Sequence, residues 1–233
     1  MLLSNILQTT KCFTHTPKYT IPQLKQINTD SGRFYKSPSG ALYPSATTVV
    51  GMLSRDSIKK WRKQVGETEA NRVSSKAAQR GTRVHQLCED YLNNQFDLEK
   101  HSKFSIYDLE SFVRLKEQLD NIDNIHLQEE RLYSDFLKMA GTVDCVGEYC
   151  GKLSIIDFKT SRKLKEKDYI LGYFCQATAY AIMFEELTGI SVPRITIIIS
   201  VDDEPTQVFT EYRDNYVDRL LAVRKLYEDE FGF

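Results

Sequence analysis

This chain has little that would tie it to a membrane, a disulfide framework or a structural zinc. No apolar run approaches the roughly 20 residues that a membrane-spanning helix requires; the longest, Ile195 to Val201, is the size of a strand. The five cysteines, Cys12, Cys88, Cys145, Cys150 and Cys175, are odd in number and form no CxxC pair. That spacing argues against disulfides, a zinc ribbon and a cysteine-bound iron–sulfur cluster. The expectation is buried or half-buried free thiols in a reducing compartment. Neither charge dominates: 31 Lys and Arg stand against 32 Asp and Glu. Net charge therefore selects neither nucleic acid nor an acidic partner. The first 26 residues lack acidic side chains, as import leaders do, but also lack the arginines such leaders favour. No secretory signal, internal repeat or low-complexity segment is evident.

What is present suits one soluble domain. Hydrophobic residues make up 41% of the 233, enough for a full core, and 27% are charged. An N-terminal arm over 1–32 and a single domain over 33–233 is the expected division. Charge is unevenly distributed. From Arg55 to Arg83 there are nine Lys and Arg against three Asp and Glu; from Asp202 onward there are four against nine. The first stretch suits phosphates and the second does not.

The pattern along the chain reads as follows. Phe34-Tyr35 and Ala41-Leu42-Tyr43 flank Ser37-Pro38-Ser39-Gly40, a hairpin signal. Residues 56–94 have helical periodicity, with Ser54 or Asp56 as a cap, Gly81 as a break and Thr82 as a restart. Ser105 to Ile122 is a further amphipathic helix. The period then changes to strands: His126 to Ser134, Thr142 to Cys150 and Leu153 to Lys159, the last two joined at Gly151-Lys152. A helix over Asp168 to Leu187, a strand over Arg194 to Val201, a short strand over Gln207 to Glu211 and a final helix from Arg213 complete a mixed α/β order.

The stretch richest in chemistry is Gly141-Thr142-Val143-Asp144 followed by Ile156-Asp157-Phe158-Lys159-Thr160-Ser161. Residues two apart on a strand face the same way, so Asp157 and Lys159 project together, and a hairpin brings Asp144 beside them. Two carboxylates converging at a sheet end call for a cation, and Mg²⁺ or Mn²⁺ fits carboxylate ligands. An ion pair between Asp157 and Lys159 explains the same residues without a metal, and both readings stand at this point. His85 and Glu89, one helical turn apart, offer an imidazole that favours Mn²⁺. Gln176 and Tyr180, also one turn apart, would suit a phosphate and a base. Arg72, Lys76, Arg80 and Arg83, at spacings of four, four and three, form a basic stripe. Arg162, Lys163, Lys165 and Lys167 follow Lys159 and would hold a nucleic-acid backbone.

Taken together, Tyr43-Pro44-Ser45-Ala46-Thr47-Thr48-Val49, Gly81-Thr82-Arg83-Val84-His85, Gly141 to Asp144, Ile156 to Ser161 and Gln176-x-x-x-Tyr180 resemble the PD-(D/E)xK nuclease superfamily in its RecB-like branch. Within that branch they resemble the mitochondrial genome maintenance exonucleases and their phage and bacterial relatives. The resemblance implies a restriction-endonuclease-like core, with a mixed central sheet flanked by helices and a helical arch over 56–94. It implies a Mg²⁺- or Mn²⁺-dependent DNA exonuclease acting on single strands from free ends in replication, repair or processing. His85, Asp144, Asp157 and the Phe158 carbonyl would be metal ligands, with Lys159 catalytic beside Asp144 and Asp157. Thr160, Ser161, Gln176, Tyr180 and the stripe Arg72, Lys76, Arg80 and Arg83 would meet DNA. No iron–sulfur cluster is expected. A monomer is expected in the cytoplasm of a bacterial or phage-infected cell, with the mitochondrial matrix left open. Val143 stands where the superfamily's proline would. A flap or junction endonuclease, a non-catalytic DNA-binding module and an unrelated α/β protein remain as alternatives.

Overall fold

The computed structural model describes residues 11–16, 19–30, 32–97, 99–101 and 103–232. The first ten residues of the expected arm lie outside that set. From the expected arm, β1 (Lys25–Thr29) pairs with β2 (Gly32–Lys36), which pairs with β3 (Leu42–Pro44) in the following domain, all antiparallel. Ser37 N–H donates to the Ala41 carbonyl across the expected turn, and Gly40 has a positive φ of 91° that a side chain would oppose. A short helix, α1 (Ala46–Val50), is capped by Ser45, whose hydroxyl accepts from the Thr48 N–H.

The expected break at Gly81 is not there. Helix α2 (Arg55–Val65) ends at Gly66, where φ is 85°, and α3 (Glu67–Leu92) then runs through Gly81 without interruption. A glycine inside a long helix costs only about 1 kcal/mol relative to alanine, whereas Gly66 supplies a conformation that other residues resist. Thr82 starts no helix; its hydroxyl donates back to the Ala78 carbonyl. Neither Ser54 nor Asp56 caps α2 with its side chain: Ser54 Oγ donates to the Gly51 carbonyl instead. Among described residues from 55 to 83 only Ala70 is buried, so α2 and the first half of α3 stand off the core. Ion pairs hold them: Arg55 to Glu230, Arg62 to Glu67, Arg80 to Asp202 and Arg83 to Asp108.

Helix α4 (Ile106–Leu119) begins with a reciprocal cap between Ser105 and Asp108. Then come β4 (Ile122–Ser134), β5 (Met139–Tyr149) and β6 (Lys152–Ser161), an antiparallel run. The β5–β6 turn sits one residue earlier than the sequence suggested: Cys150 and Gly151 carry the positive φ values, 50° and 71°. After a 3₁₀ turn, α5 (Leu171–Thr188) crosses over to β7 (Arg194–Val201), parallel to β6, and β8 (Gln207–Tyr212) returns antiparallel. A parallel pair needs such a crossover. Helix α6 (Val217–Phe231) closes the chain. The sheet order is β4-β5-β6-β7-β8.

Helices cover both sheet faces, which explains the near-continuous apolar runs of β6 and β7. Ile155, Ile195, Ile197 and Ile199 pack with α5 through Phe174, Ala177, Ala181 and Phe184. Ile156, Phe158 and Ile198 pack with the second half of α3 and with α4, through Val84, Leu87, Tyr91, Phe112 and Leu115. Each such large side chain contributes about 1.5–3 kcal/mol by burial. Cys88, Cys145 and Cys175 are buried free thiols, but Cys12 and Cys150 are exposed, contrary to expectation. Cys150 lies in the hairpin turn, where no core reaches it. Among the described residues no helix is long and apolar enough to cross a membrane.

Candidate active site

Strand geometry builds the site from β4, β5 and β6, and helix α3 closes it. Asp144 on β5 is nearly buried. Its Oδ2 accepts from the Phe158 N–H at 2.8 Å, which ties β5 to β6 and leaves Oδ1 facing outward from that link. His85, on α3, places Nδ1 3.6 Å from Asp144 Oδ1 and 3.8 Å from Glu129 Oε1. Its Nε2 lies 2.8 Å from the Phe158 carbonyl. A carbonyl only accepts, so Nε2 carries a proton and Nδ1 faces the two carboxylates with its lone pair or a second proton. The Phe158 carbonyl, expected as a ligand, lies against the histidine ring in this arrangement.

Glu129 is the residue that the sequence reading missed. It sits on β4 between Gln128, paired with Cys145, and Glu130, paired with Val143, which puts it across from Asp144. Like charges facing one another across strands repel. Its backbone is also held at φ 48°, in the left-handed region that non-glycine residues avoid. His85, Glu129 and Asp144 each bring one donor atom to within 4.8 Å of the others. One imidazole and two carboxylates in that space form a set that suits a divalent cation.

Asp157 and Lys159 stand beside this group. They share the β6 face with Ile155, as strand alternation requires, and the Lys159 ammonium contacts Asp157 Oδ2. The ammonium also lies 5.2 Å above the Tyr173 ring centroid. The ion pair thus exists, and it stands next to a group of residues that could hold a metal ion. Asp157 is almost fully buried; its Oδ2 meets the Lys159 ammonium, and its Oδ1 has no hydrogen-bond partner among the described residues. That unpartnered Oδ1 is what a bound cation would satisfy, so the residues fit a divalent metal.

The electrostatics carry the same mark. Burial, together with the nearby Asp144 charge, pushes the Asp157 carboxyl up against the lowering effect of Lys159. Burial alone would lower His85, but the Asp144 charge and the Glu129 hydrogen bond outweigh it and raise its pKa to about 9. Without metal the imidazole is thus protonated at neutral pH. A metal ligand must lose that proton. We therefore expect Mn²⁺ binding near pH 7 to release about one proton, and affinity to rise about tenfold per pH unit until about pH 9. Calorimetry in buffers of different ionisation enthalpy measures this directly; buffer-independent heats would contradict it.

Helix α5 supplies the remaining wall. Gln176 Nε2 donates to the Tyr180 hydroxyl at 3.2 Å. Gly141 has no side chain for a plain reason: a Cβ there would lie 2.8 Å from the Tyr180 ring and hydroxyl. Gly141→Ala should cost about 1–3 kcal/mol and displace Tyr180. Thermal unfolding checks the first, and an unchanged melting temperature would contradict it.

A cavity of about 530 Å³ joins these parts, lined by His85, Glu129, Asp144, Lys159, Gln176 and Tyr180 among others. On the other side of α3 a cavity of about 460 Å³ is lined by Arg72, Lys76, Arg80, Thr160, Ser161, Arg162 and Lys165. The stripe is not uniformly open to a ligand. Arg72 is paired with Glu69, Arg80 with Asp202 and Arg83 with Asp108, while Lys76 makes no direct ion pair among the described residues and only feels the Glu69 charge nearby. Lys167, in the following basic run, is paired with Glu211.

A family model of the PD-(D/E)XK nuclease superfamily matches residues 52–221, and the chain belongs to that superfamily. It is similar to mitochondrial genome maintenance exonuclease 1 of Mus musculus, with 30% identity over 115 residues. The Homo sapiens protein of the same name is 28% identical over 114 residues. Each match covers 46% of this chain and 32% of the relative, so the chain spans only about a third of the curated relatives it matches. A crystal structure of an exonuclease candidate from Eubacterium rectale is 15% identical, with a TM-score of 0.46, covering 66% of this chain and 65% of that one.

Proposed function

We propose that the chain is a Mg²⁺- or Mn²⁺-dependent deoxyribonuclease that degrades single-stranded DNA from free ends. The observation that carries the reading is the convergence of His85, Glu129 and Asp144 beside the buried Asp157–Lys159 pair. When bound, the divalent ion supplies Lewis-acid polarisation of the phosphate and acidifies water. His85 Nδ1, Glu129 and Asp144 would hold it, with Asp157 as a further carboxylate. The Phe158 carbonyl fixes the imidazole through Nε2–H, so Nδ1 needs no reorientation. Lys159 presents a fixed ammonium to the charge that builds on the phosphate, and Asp157 keeps it protonated and in place. Tyr180 and Gln176 form the wall against which a nucleotide would rest.

The single-strand preference is supported by the two cavities flanking α3, one catalytic and one lined by cations with Thr160 and Ser161. A strand passing beneath α2 and α3, as under an arch, would meet both. Similarity to exonucleases supports the need for free ends. Assay on end-labelled linear and on circular single-stranded DNA, with Mn²⁺ and with chelator, tests the reading. Cleavage of the linear strand alone, abolished by chelator, is the expected result. Equal cleavage of circles would replace exonuclease with endonuclease, and no cleavage of any strand would overturn the proposal.

A further inference from the structure

One motif remains unused by this chemistry: Tyr43 to Val49, with the hairpin before it. It brings the small sheet β1-β2-β3 to the catalytic cleft, whose lining includes Arg33 and Thr47. We propose that Arg33, assisted by the Thr47 hydroxyl, is a phosphate-binding subsite on the cleft wall contributed by the small sheet. It would grip a phosphodiester of the nucleic acid next to the one being cut. The inference rests on the nuclease reading above.

Charge balance is the first argument. The cleft lining holds three carboxylates, Glu89, Glu129 and Asp144, and only two permanent cations, Arg33 and Lys159. Lys159 is paired with Asp157. The Arg33 guanidinium has no ion-pair or side-chain hydrogen-bond partner among the described residues, and it is exposed to the cleft. The α3 arginines offer no substitute, because Arg80 and Arg83 are neutralised by Asp202 and Asp108. A polyanion entering this cleft meets one uncommitted cation, and that cation is an arginine, whose fork matches phosphate oxygens.

Rigidity is the second. Both backbone groups of Arg33 are tied down: its N–H donates to Thr48 Oγ1 at 3.4 Å, and its carbonyl accepts from the Ser45 N–H at 2.8 Å. Ser45 Oγ lies 2.8 Å from Thr48 Oγ1 and 3.2 Å from Thr47 Oγ1, so the Ser-x-Thr-Thr pattern knits this corner. Gly32 has φ 132°, and a Cβ there would lie 2.9 Å from the Thr48 methyl, so only glycine allows the approach. The corner is anchored to catalytic strand β5 by the Ser45–Ala140 bridge and by Tyr35 Oη, 3.4 Å from Thr142 Oγ1. A hydrogen-bonded scaffold of this kind places a long side chain without needing it for the fold.

The test is steady-state cleavage and equilibrium binding of a short single-stranded oligonucleotide by the full chain, for parent, Arg33→Ala, Arg33→Lys and Lys36→Ala. Lys36 is an exposed cation on the same strand that does not line the cleft, so it controls for net charge. Arg33→Ala should raise KM about tenfold with kcat within about threefold, and lower the salt dependence of binding by about 0.7 in log–log slope, one phosphate contact on a single strand. Arg33→Lys should recover part of the affinity, Lys36→Ala should match the parent, and Mn²⁺ affinity should be equal in all four. An active parent with an unchanged KM and salt slope in Arg33→Ala overturns the subsite alone, as does an equal loss in Lys36→Ala. A parent that neither binds nor cuts DNA overturns the nuclease reading and this inference with it.

Discussion

Asp144→Asn should lower cleavage by on the order of 10³-fold or more while the protein stays folded. The asymmetry of the side chain makes the substitution informative. Asp144 Oδ2 accepts from the Phe158 N–H, and an asparagine carbonyl fills that role, so the β5–β6 link survives. What is lost is the negative charge on Oδ1, the atom 3.6 Å from His85 Nδ1. The cation site then has one carboxylate fewer. The repulsion from Glu129 across the strand is relieved, and the attraction of the Asp144 charge for the His85 imidazolium is lost, so the two effects oppose one another. Metal-free melting temperature should therefore stay within about 3 °C of the parent, while Mn²⁺ should no longer raise it. A variant that cuts at the parental rate, or that unfolds, would contradict this account.

Lys159→Ala is the second large effect. Cleavage should fall on the order of 10³-fold, because the variant loses a fixed positive charge at the reacting phosphate. Binding of single-stranded DNA should change by less than about threefold. Stability should change in a way that a purely catalytic lysine would not produce. Asp157 is about 1% exposed and would be left as a buried carboxylate without its cation, a loss of about 3–5 kcal/mol that protonation partly offsets. A divalent ion then becomes its remaining counter-charge. Mn²⁺ should raise the melting temperature more in Lys159→Ala than in the parent, and an equal or smaller shift would separate Asp157 from the metal site.

The legibility of these residues in the sequence follows from what local patterns encode. Asp144, Asp157 and Lys159 lie on strands with strong alternation and a short turn, so their convergence was readable to within the one-residue shift at Cys150-Gly151. His85 was readable as a ligand type on a helix, though its approach to Phe158 depends on tertiary packing. Glu129 was not readable. The Gln128-Glu129-Glu130 run gives no period, and only the β4–β5 register, fixed by the turn at residues 135–138, sets Glu129 against Asp144. The helical region failed at Gly81 because core contacts and bracing ion pairs override one unfavourable residue, while Gly66 carried the real stop. The basic stripe was legible as a spacing, but its ion pairs were not, since the partners Asp108 and Asp202 lie far away in sequence.

We propose that His85, Glu129 and Asp144 together hold a divalent ion. Titration of Mn²⁺ into the full chain, followed by the loss of the free-ion paramagnetic resonance signal, tests it most directly. The account predicts saturable binding in the parent that weakens by at least about tenfold in His85→Ala, Glu129→Gln and Asp144→Asn alike. Parental affinity in Glu129→Gln and His85→Ala would contradict it.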